Sequence, residues 1–195
     1  MAHCRTHPDF RASLIEDAKH SHYIFVDQLP PPAEDLIFLE DYYSRFDLKN
    51  GMIMSVRPLL PSDEFEFRNF FYSLKEETIY MRFFYKMRTF SHEVVQKQWA
   101  SVDYRKNMSI IGLVQKGGHQ EIMAIGSYAM ADEVSAEVAF VVREDFQGMG
   151  IASYLLEVLE KIAKENNYTG FSASVLAENA AMIRVFKKRY PNLKT

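Results

Sequence analysis

The stretch from Ser135 to Tyr168 constrains the fold of this chain more than any other. It begins with an apolar, β-branched run from Glu137 to Arg143, which predicts a buried strand. It ends with apolar residues at helical spacing, which predict a long helix from about Ile151. Between the two runs lies QGMGIA, whose two glycines permit backbone angles or close approaches that a Cβ would forbid. A strand, a glycine turn and a helix in this order predict an anion-binding cradle at the first turn of the helix.

Two other kinds of glycine motif are excluded by the residues around this turn. A dinucleotide-binding fingerprint needs a third glycine where this chain has Ser153. A phosphate-binding P-loop needs a lysine after its last glycine, and this chain has Ile151 there. One alternative stays open, in which the glycine turn only shapes the start of the helix.

Composition excludes several classes of function. With 195 residues, 48% of them hydrophobic, the chain suits one domain with a real core plus an appendage. Its net charge of −3 gives no general attraction to nucleic acid or to an anionic membrane. The single cysteine, Cys4, excludes an internal disulfide and a cysteine-based zinc site, and no metal is expected. Because the sequence has neither a membrane-spanning apolar run nor a signal peptide, we expect a cytoplasmic protein.

The first part of the chain has the pattern of an N-terminal extension to the main domain. The run LPPP at residues 29–32 predicts a stiff linker, so we expect an N-terminal extension and linker over residues 1–50 and the main domain over residues 51–195. Within the extension, Pro8 to Lys19 predicts a short helix and Tyr23 to Val26 a short strand. Residues 7–28, HPDFRASLIEDAKHSHYIFVDQ, are similar to the C-terminal tail of acetyl-CoA hydrolase/transferase proteins. This resemblance implies fusion to a CoA-transferase-like domain.

The main domain alternates strand and helix patterns. Residues 35–46 fit either an amphipathic helix or an extended aromatic segment. Ser62 is the expected N-cap of a helix whose apolar stripe contains Phe65, Phe70, Phe71 and Leu74. Residues 75–90 predict a second helix with Arg82 in solvent, or alternatively a wall of the acceptor site. The other predicted elements are strands at 52–59, 108–115, 121–130 and 171–176, a hairpin turn at Gly117-Gly118, and helices at 91–99 and 180–190.

This order of elements resembles the GNAT N-acetyltransferase superfamily over about residues 52–192. QGMGIA fits the R/Q-x-x-G-x-G/A signature of that family. Within the superfamily, VRPLLPSD, ETIYMRFFY, VDYRKNMSIIGL and AEVAFVVREDFQGMGIA are similar to the acetyltransferase domain of Pat-type protein lysine acetyltransferases. The resemblance implies an α/β (α+β) fold with a mixed, mostly antiparallel central sheet flanked by helices. The last two strands of the usual fold have no counterpart in this sequence.

The resemblance also implies a site for acetyl-CoA as co-substrate. The residues expected to bind its pyrophosphate are Gln147, Gly148, Met149, Gly150, Ile151 and Ala152. Those expected to contact its pantetheine arm through the backbone are Phe140, Val141 and Val142. Asn179 is expected both to cap the last helix and to contact CoA.

Glu137 is the candidate general base. Strand alternation puts Glu137, Ala139 and Val141 on one face, where burial is expected to raise the pKa of the carboxyl group. The resemblance to Pat-type enzymes implies that this glutamate removes the proton of the attacking amine. The alternative is a glutamate satisfied by a hydrogen bond or an ion pair at the strand edge. Glu121 is the second candidate.

Two departures from the family pattern bear on catalysis. Many members carry a tyrosine acid in the last helix, where this chain has Phe186, and Tyr190 one turn later is expected to point elsewhere. The missing strands leave an open sheet edge, which we expect residues 23–57 or a partner subunit to cover.

Three functions follow from these features. The first is an N-acetyltransferase that acts on a protein lysine by direct attack in a ternary complex. The second is a non-catalytic acetyl-CoA-binding regulatory module of a larger CoA-transferase-type protein, and the third is a small-molecule amine acetyltransferase. A homo-oligomer is compatible with each of them.

Overall fold

The computed structural model describes residues 13–17, 21–25, 39–84 and 103–192. The chain forms two compact units, residues 1–37 and residues 38–195. The boundary at residue 51 between extension and main domain stays a prediction. The predicted helix over residues 91–99 and the proline linker lie outside the described residues.

The first unit contains a β-hairpin. Strand β1, Ser13–Asp17, pairs antiparallel with β2, Ser21–Phe25. The predicted strand near Tyr23 is confirmed. The predicted helix from Pro8 to Lys19 is wrong for Ser13–Asp17, because pairing with β2 satisfies backbone groups that a short helix in water satisfies only marginally.

The second unit is built on a six-stranded sheet in the order β3-β4-β5-β6-β7-β8. Its strands are β3 (Ser44–Asp47), β4 (Ile53–Pro58), β5 (Asn107–Lys116), β6 (His119–Met130), β7 (Ser135–Val142) and β8 (Gly170–Ser172). All neighbours pair antiparallel except β7 and β8, which are parallel. The predicted mixed, mostly antiparallel sheet is confirmed, and so is the turn at Gly117-Gly118 between β5 and β6.

Four helices flank the sheet in the described residues: α1 (Glu64–Ser73), α2 (Glu76–Phe83), α3 (Ile151–Glu165) and α4 (Ala180–Arg189). Short 3-10 turns occupy Leu39–Tyr42, Pro61–Asp63 and Glu144–Phe146. No helix among the described residues is both long and apolar enough to cross a membrane.

Strand β3 resolves the ambiguity of residues 35–46 for the part that the structure describes, residues 39–46. From Ser44 the segment is extended and pairs with β4, after a single 3-10 turn. It therefore lies at the edge of the sheet opposite β8. The expectation that residues 23–57 cover the β8 edge is wrong for residues 44–57, and none of the described strands pairs with the outer side of β8.

The sheet buries a separate hydrophobic layer on each face. On one face, the apolar stripe of α3 packs on the centre of the sheet, with Leu155, Leu156, Leu159 and Ile162 fully buried. Each such side chain contributes about 1.5–3 kcal/mol of burial free energy. On the other face, α1 packs Phe67, Phe70 and Phe71 against Ile111, Leu113 and Ile125. Strand β7 contributes Ala136, Val138 and Phe140 to the first layer and Val141 to the second.

The start of α1 differs in detail from the prediction. Residues 61–63 form a 3-10 turn, and the N-cap is Asp63 instead of Ser62. Both carboxylate oxygens of Asp63 accept from Arg57, at 2.6 and 2.7 Å, which fixes the turn against β4. Phe65 is 68% exposed, because the helix aims positions 67, 70, 71 and 74 at the sheet and leaves position 65 on the outer side.

Candidate functional site

The sheet opens between β7 and β8. The parallel ladder joins only Ser135–Glu137 of β7 to Gly170–Ser172 of β8. Strand β7 continues to Val142, paired with β6 alone. Among the described residues no strand partner remains on the other side of residues 138–142. This free side offers backbone donors and acceptors to an extended ligand, in the manner of strand addition.

The glycine turn between β7 and α3 lies at the wide end of this opening. Gly148 has φ of 74° and Gly150 has φ of 90°, both in the left-handed region. A Cβ on Gly148 would meet nothing within 4 Å, and one on Gly150 would lie 3.6 Å from the ring of Phe46, an ordinary contact. The positive φ angles therefore favour glycine at these two positions, whereas close packing against protein atoms does not require it.

Two side chains hold the turn in place. The Gln147 amide donates to the carbonyl oxygen of Val142 at 3.0 Å, which ties the turn to the end of β7. Lys49, from the β3–β4 connection, donates to the carbonyl oxygen of Gly148 at 3.3 Å. The first N–H groups of α3, which begins at Ile151, have no intrahelical acceptor and lie at the positive end of the helix dipole, where negative charge is favoured.

A cleft of about 910 Å³ joins these features. Of the predicted cofactor-binding residues, Phe140, Val141, Val142, Gln147, Gly148, Gly150, Ile151, Ala152 and Asn179 line it. Met149 does not line the cleft, because its side chain packs against the α3-side core. The Asn179 side chain accepts from the N–H of Met182 at 3.1 Å, which confirms it as the N-cap of α4.

Glu137 lies on β7 beyond the closed end of the cleft, opposite Ala129 of β6 and Ser172 of β8. Its side chain is exposed, so the expected burial is wrong. The parallel pairing of β7 with β8 ends at this residue. The Ser174 hydroxyl donates to Oε1 of Glu137 at 2.8 Å.

Glu121, the second candidate base, lies elsewhere. It does not line the cleft and is paired with Arg143 at 3.1 Å and with Lys116 at 3.8 Å. The hydrogen bond from Arg143 is the main reason that the pKa of Glu121 lies below its ordinary value. An ion-paired carboxylate with a lowered pKa is a poor proton acceptor, so Glu121 does not fit the role.

No tyrosine of the described residues lines the cleft. Phe186 is buried, and its ring centroid lies 6.1 Å from that of Phe140. The Tyr190 hydroxyl donates to Glu160 at 3.1 Å, away from the cleft, as predicted. Burial, and then the bond to Glu160, raise the pKa of Tyr190 to about 12.

The profile of the Acetyltransferase (GNAT) family matches residues 74–190, which is more than half of the chain. The chain belongs to the GNAT acetyltransferase family. Membership makes it an N-acetyltransferase, in a family that takes acetyl-CoA as acyl donor. Among the described residues, no group of three or more side chains is arranged to hold a metal ion.

Three relatives show how far the similarity extends. An acetyltransferase of Pseudomonas aeruginosa is 28% identical over 136 residues, covering 69% of this chain and 73% of that protein. Acetyltransferase Pat of Mycolicibacterium smegmatis is 30% identical over 146 residues, covering 72% of this chain but only 42% of Pat. The solved GNAT domain of S. lividans PAT is 28% identical with a TM-score of 0.70, covering 79% of this chain and 90% of that domain. The resemblance to Pat-type GNAT domains is confirmed, and this chain spans less than half the length of Pat.

Five basic residues line the cleft of this GNAT acetyltransferase, and the sequence did not place Lys49, Arg184 or Lys188 at the site. Lys49, Lys75, Arg82, Arg184 and Lys188 line it. They come from the β3–β4 connection, α2 and α4, and only the fold brings them together. The one local signal is the i,i+4 spacing of Arg184 and Lys188, which places both on one face of α4.

Arg82 is partly buried in the wall of the cleft, so the prediction that it is solvated is wrong. Burial lowers the pKa of its guanidinium, while the negative charge of Glu137 acts in the opposite direction. Among the described residues, Arg82 has no carboxylate within ion-pair distance. The alternative prediction, a wall of the acceptor site, therefore has a residue that fits it.

Helix α4, which forms one wall of the cleft, is fastened to α3 through Glu160. The carboxylate accepts from Lys164 at 2.6 Å, Arg189 at 2.9 Å and Tyr190 at 3.1 Å. Burial opposes ionisation, but these three hydrogen bonds outweigh it and lower the pKa of Glu160 to about 2. The network holds the last turn of α4 in register with the middle of α3.

We expect Glu160→Gln to lower the free energy of unfolding by about 1.5 kcal/mol at pH 7, because charged hydrogen bonds are lost. The folded-state pKa lies below the unfolded value of about 4.5, so this stabilisation is complete above pH 4.5 and is lost as the pH falls towards 2. Urea unfolding of the variant and the wild type at pH 7 and pH 3 measures the loss of unfolding free energy and its dependence on pH. Glu157→Gln, an exposed change on the same helix, is the control, and a difference from wild type that persists unchanged at pH 3 would contradict the assignment.

Proposed function

We propose that this chain transfers the acetyl group of acetyl-CoA to an amine, a lysine of a protein, by direct attack in a ternary complex. One observation carries the proposal: a cleft with the glycine turn at one end is lined by residues 140–142 on the unpaired side of β7, the strand that also carries Glu137. The cradle suits a pyrophosphate, the unpaired strand suits the amides of pantetheine, and the carboxylate suits proton transfer from an amine.

The phosphate end is supported by charge as well as by backbone geometry. The unpaired N–H groups and the dipole of α3 favour an anion at the glycine turn. Lys49, Arg184 and Lys188 line the same cleft and add positive charge for the phosphates of CoA. Asn179, already fixed as the cap of α4, borders the cleft as the proposed further contact.

The length of β7 indicates where the thioester of a bound acetyl-CoA would lie. Strand residues advance about 3.4 Å each, so Val142 and Glu137 are separated by about 17 Å along the strand. An extended pantetheine arm bound from Val142 towards Val138 would bring its thioester to the region of Glu137. Holding amine and thioester together in this way would supply much of the rate acceleration by proximity.

Glu137 would act as the general base. It would take a proton from the nitrogen as the amine attacks the thioester carbonyl, and the tetrahedral intermediate would then expel the CoA thiolate. The exposed position of the carboxylate suits a lysine that arrives on the surface of another protein. The similarity to Pat-type domains also favours a protein substrate.

A second candidate is a non-catalytic acetyl-CoA-binding module that regulates a larger protein. Phe186 at the position of the usual tyrosine acid favours it. Such a module would bind acetyl-CoA through the cleft and the glycine turn but would not transfer the acetyl group.

Acetyl-CoA should stabilise the native chain under either candidate. At a ligand concentration about 100 times Kd, binding adds about 2.7 kcal/mol, and Tm is expected to rise by about 5–10 °C for a protein of this size. A thiol-release assay with lysine peptides and small amines then separates the candidates. Peptide turnover supports the proposal, turnover of small amines alone contradicts the protein substrate, and stabilisation with no turnover supports the regulatory module.

A further inference from the structure

We infer that Ser174 is a second catalytic residue, which hands the proton collected by Glu137 to the departing thiolate of CoA. This inference rests on the proposed acetyl transfer and names the group that completes it. It assigns the acid role that Phe186 cannot fill.

The position of Ser174 follows from the way in which the sheet opens. The β7–β8 ladder ends at the pair Glu137 and Ser172, and the chain after β8 moves away towards α4. Ser174 lies just beyond this last pair, and its hydroxyl bridges back to Oε1 of Glu137 at 2.8 Å. The two side chains therefore stand together at the closed end of the opening, where a pantetheine arm running along β7 would bring its sulfur.

Other hydroxyl groups near the cleft are unsuitable for this role. Among the described residues, Thr78 and Ser153 carry the hydroxyls that line it. Thr78 is hydrogen bonded to Glu144, and Ser153 belongs to the first turn of α3, at the phosphate end. The Tyr154 hydroxyl donates to the carbonyl oxygen of Arg45 at 3.2 Å. Ser174 is the hydroxyl that shares a hydrogen bond with the proposed base.

Glu137 and Ser174 together account for every proton that moves in the reaction. Before the reaction, the Ser174 hydroxyl donates to the ionised Glu137. When Glu137 takes the proton of the attacking nitrogen, its carboxyl group becomes a donor, and the Ser174 oxygen can accept from it while its own hydrogen turns to the sulfur. As the C–S bond breaks, Ser174 gives its proton to the thiolate and receives the proton of Glu137. The products are the amide, the free thiol of CoA and the original ionised carboxylate.

Substitution of Ser174 tests the relay. In Ser174→Ala we expect kcat for a lysine peptide to fall by about 10²-fold, within the range of general acid catalysis, with an unchanged Tm shift by acetyl-CoA. Ser174→Thr keeps a hydroxyl and should recover most of the activity. Ser172→Ala removes the hydroxyl of the neighbouring β8 serine and should retain wild-type kcat.

A second acyl donor, with a better leaving group, distinguishes proton transfer by Ser174 from a role in which Ser174 only orients Glu137. An acetyl thioester of a nitro-substituted aromatic thiol expels an acidic thiolate that needs no proton, so the deficit of Ser174→Ala relative to wild type should nearly vanish with this donor. An equal deficit with both donors, or wild-type kcat in Ser174→Ala, would overturn the relay while leaving the proposed function intact. A wild-type chain that releases no thiol with any of the amines tested would overturn both.

Discussion

In Glu137→Gln, kcat is expected to fall by at least about 10²-fold while acetyl-CoA still raises Tm as it does in the wild type. Glutamine has the shape of glutamate and still offers an oxygen to the Ser174 hydroxyl, but it cannot take a proton. Because Glu137 lies beyond the end of the cleft, the phosphate and pantetheine contacts should survive the change. Thiol release with a lysine peptide and a thermal shift with acetyl-CoA measure the two properties separately.

Glu157→Gln is the matched control for this experiment, since it makes the same chemical change on an exposed position of α3. It should leave both turnover and the acetyl-CoA response unchanged. Unaltered turnover in Glu137→Gln would remove Glu137 from the mechanism. The remaining interpretation of this residue would then be the alternative that the sequence allows, a carboxylate satisfied by a hydrogen bond at a strand edge.

The second large effect is expected for Gly150→Val, which should weaken acetyl-CoA binding by about 10- to 100-fold. Gly150 has φ of 90°, a region that a β-branched residue avoids at a cost of about 1–3 kcal/mol. To escape that strain the turn must rotate, which takes N–H groups at the start of α3 away from the pyrophosphate. Loss of one charged hydrogen bond, about 1.5–3 kcal/mol, corresponds to this range of affinity.

Gly118→Val separates strain from binding. Gly118 has φ of 88° in the β5–β6 turn, and a Cβ there would meet nothing within 4 Å. The backbone penalty is therefore similar, but the residue is not part of the cleft. Both variants should lose about 1–3 kcal/mol of stability, and only Gly150→Val should show a smaller Tm response to acetyl-CoA than the wild type. An intact response in Gly150→Val would show that the glycine turn only shapes the helix.

Local patterns predicted most of the fold. The alternation and periodicity around the glycine turn located β7 and α3, and Asn179 was identified correctly as the cap of α4. The errors fall where local propensity competes with pairing. Ser13–Asp17 joins a hairpin instead of a helix, and Ser44–Asp47 becomes an edge strand because β4 is available to pair with it.

Some residues of the candidate site were predicted from the sequence, and others are brought to it only by the fold. The glycine turn and the β7 contacts are contiguous in sequence, so a motif could indicate them. Ser174, Arg82 and Lys49 are far apart along the chain, and no periodicity relates them to Glu137 or to the turn. The hydrogen bond from Ser174 to Glu137 exists only because β8 pairs with β7 for three residues and then diverges.

The sequence by itself determined a strand, a glycine turn and a long helix in that order, because these local features depend on neighbouring residues. Only the tertiary structure decided that Glu137 is exposed, that Met149 belongs to the core and that cations from several elements line the cleft. Alternation assigns a residue to one face of a strand, but burial depends on what packs over that face. At Glu137 the parallel pairing with β8 ends, and the exposed carboxylate accepts a hydrogen bond from Ser174.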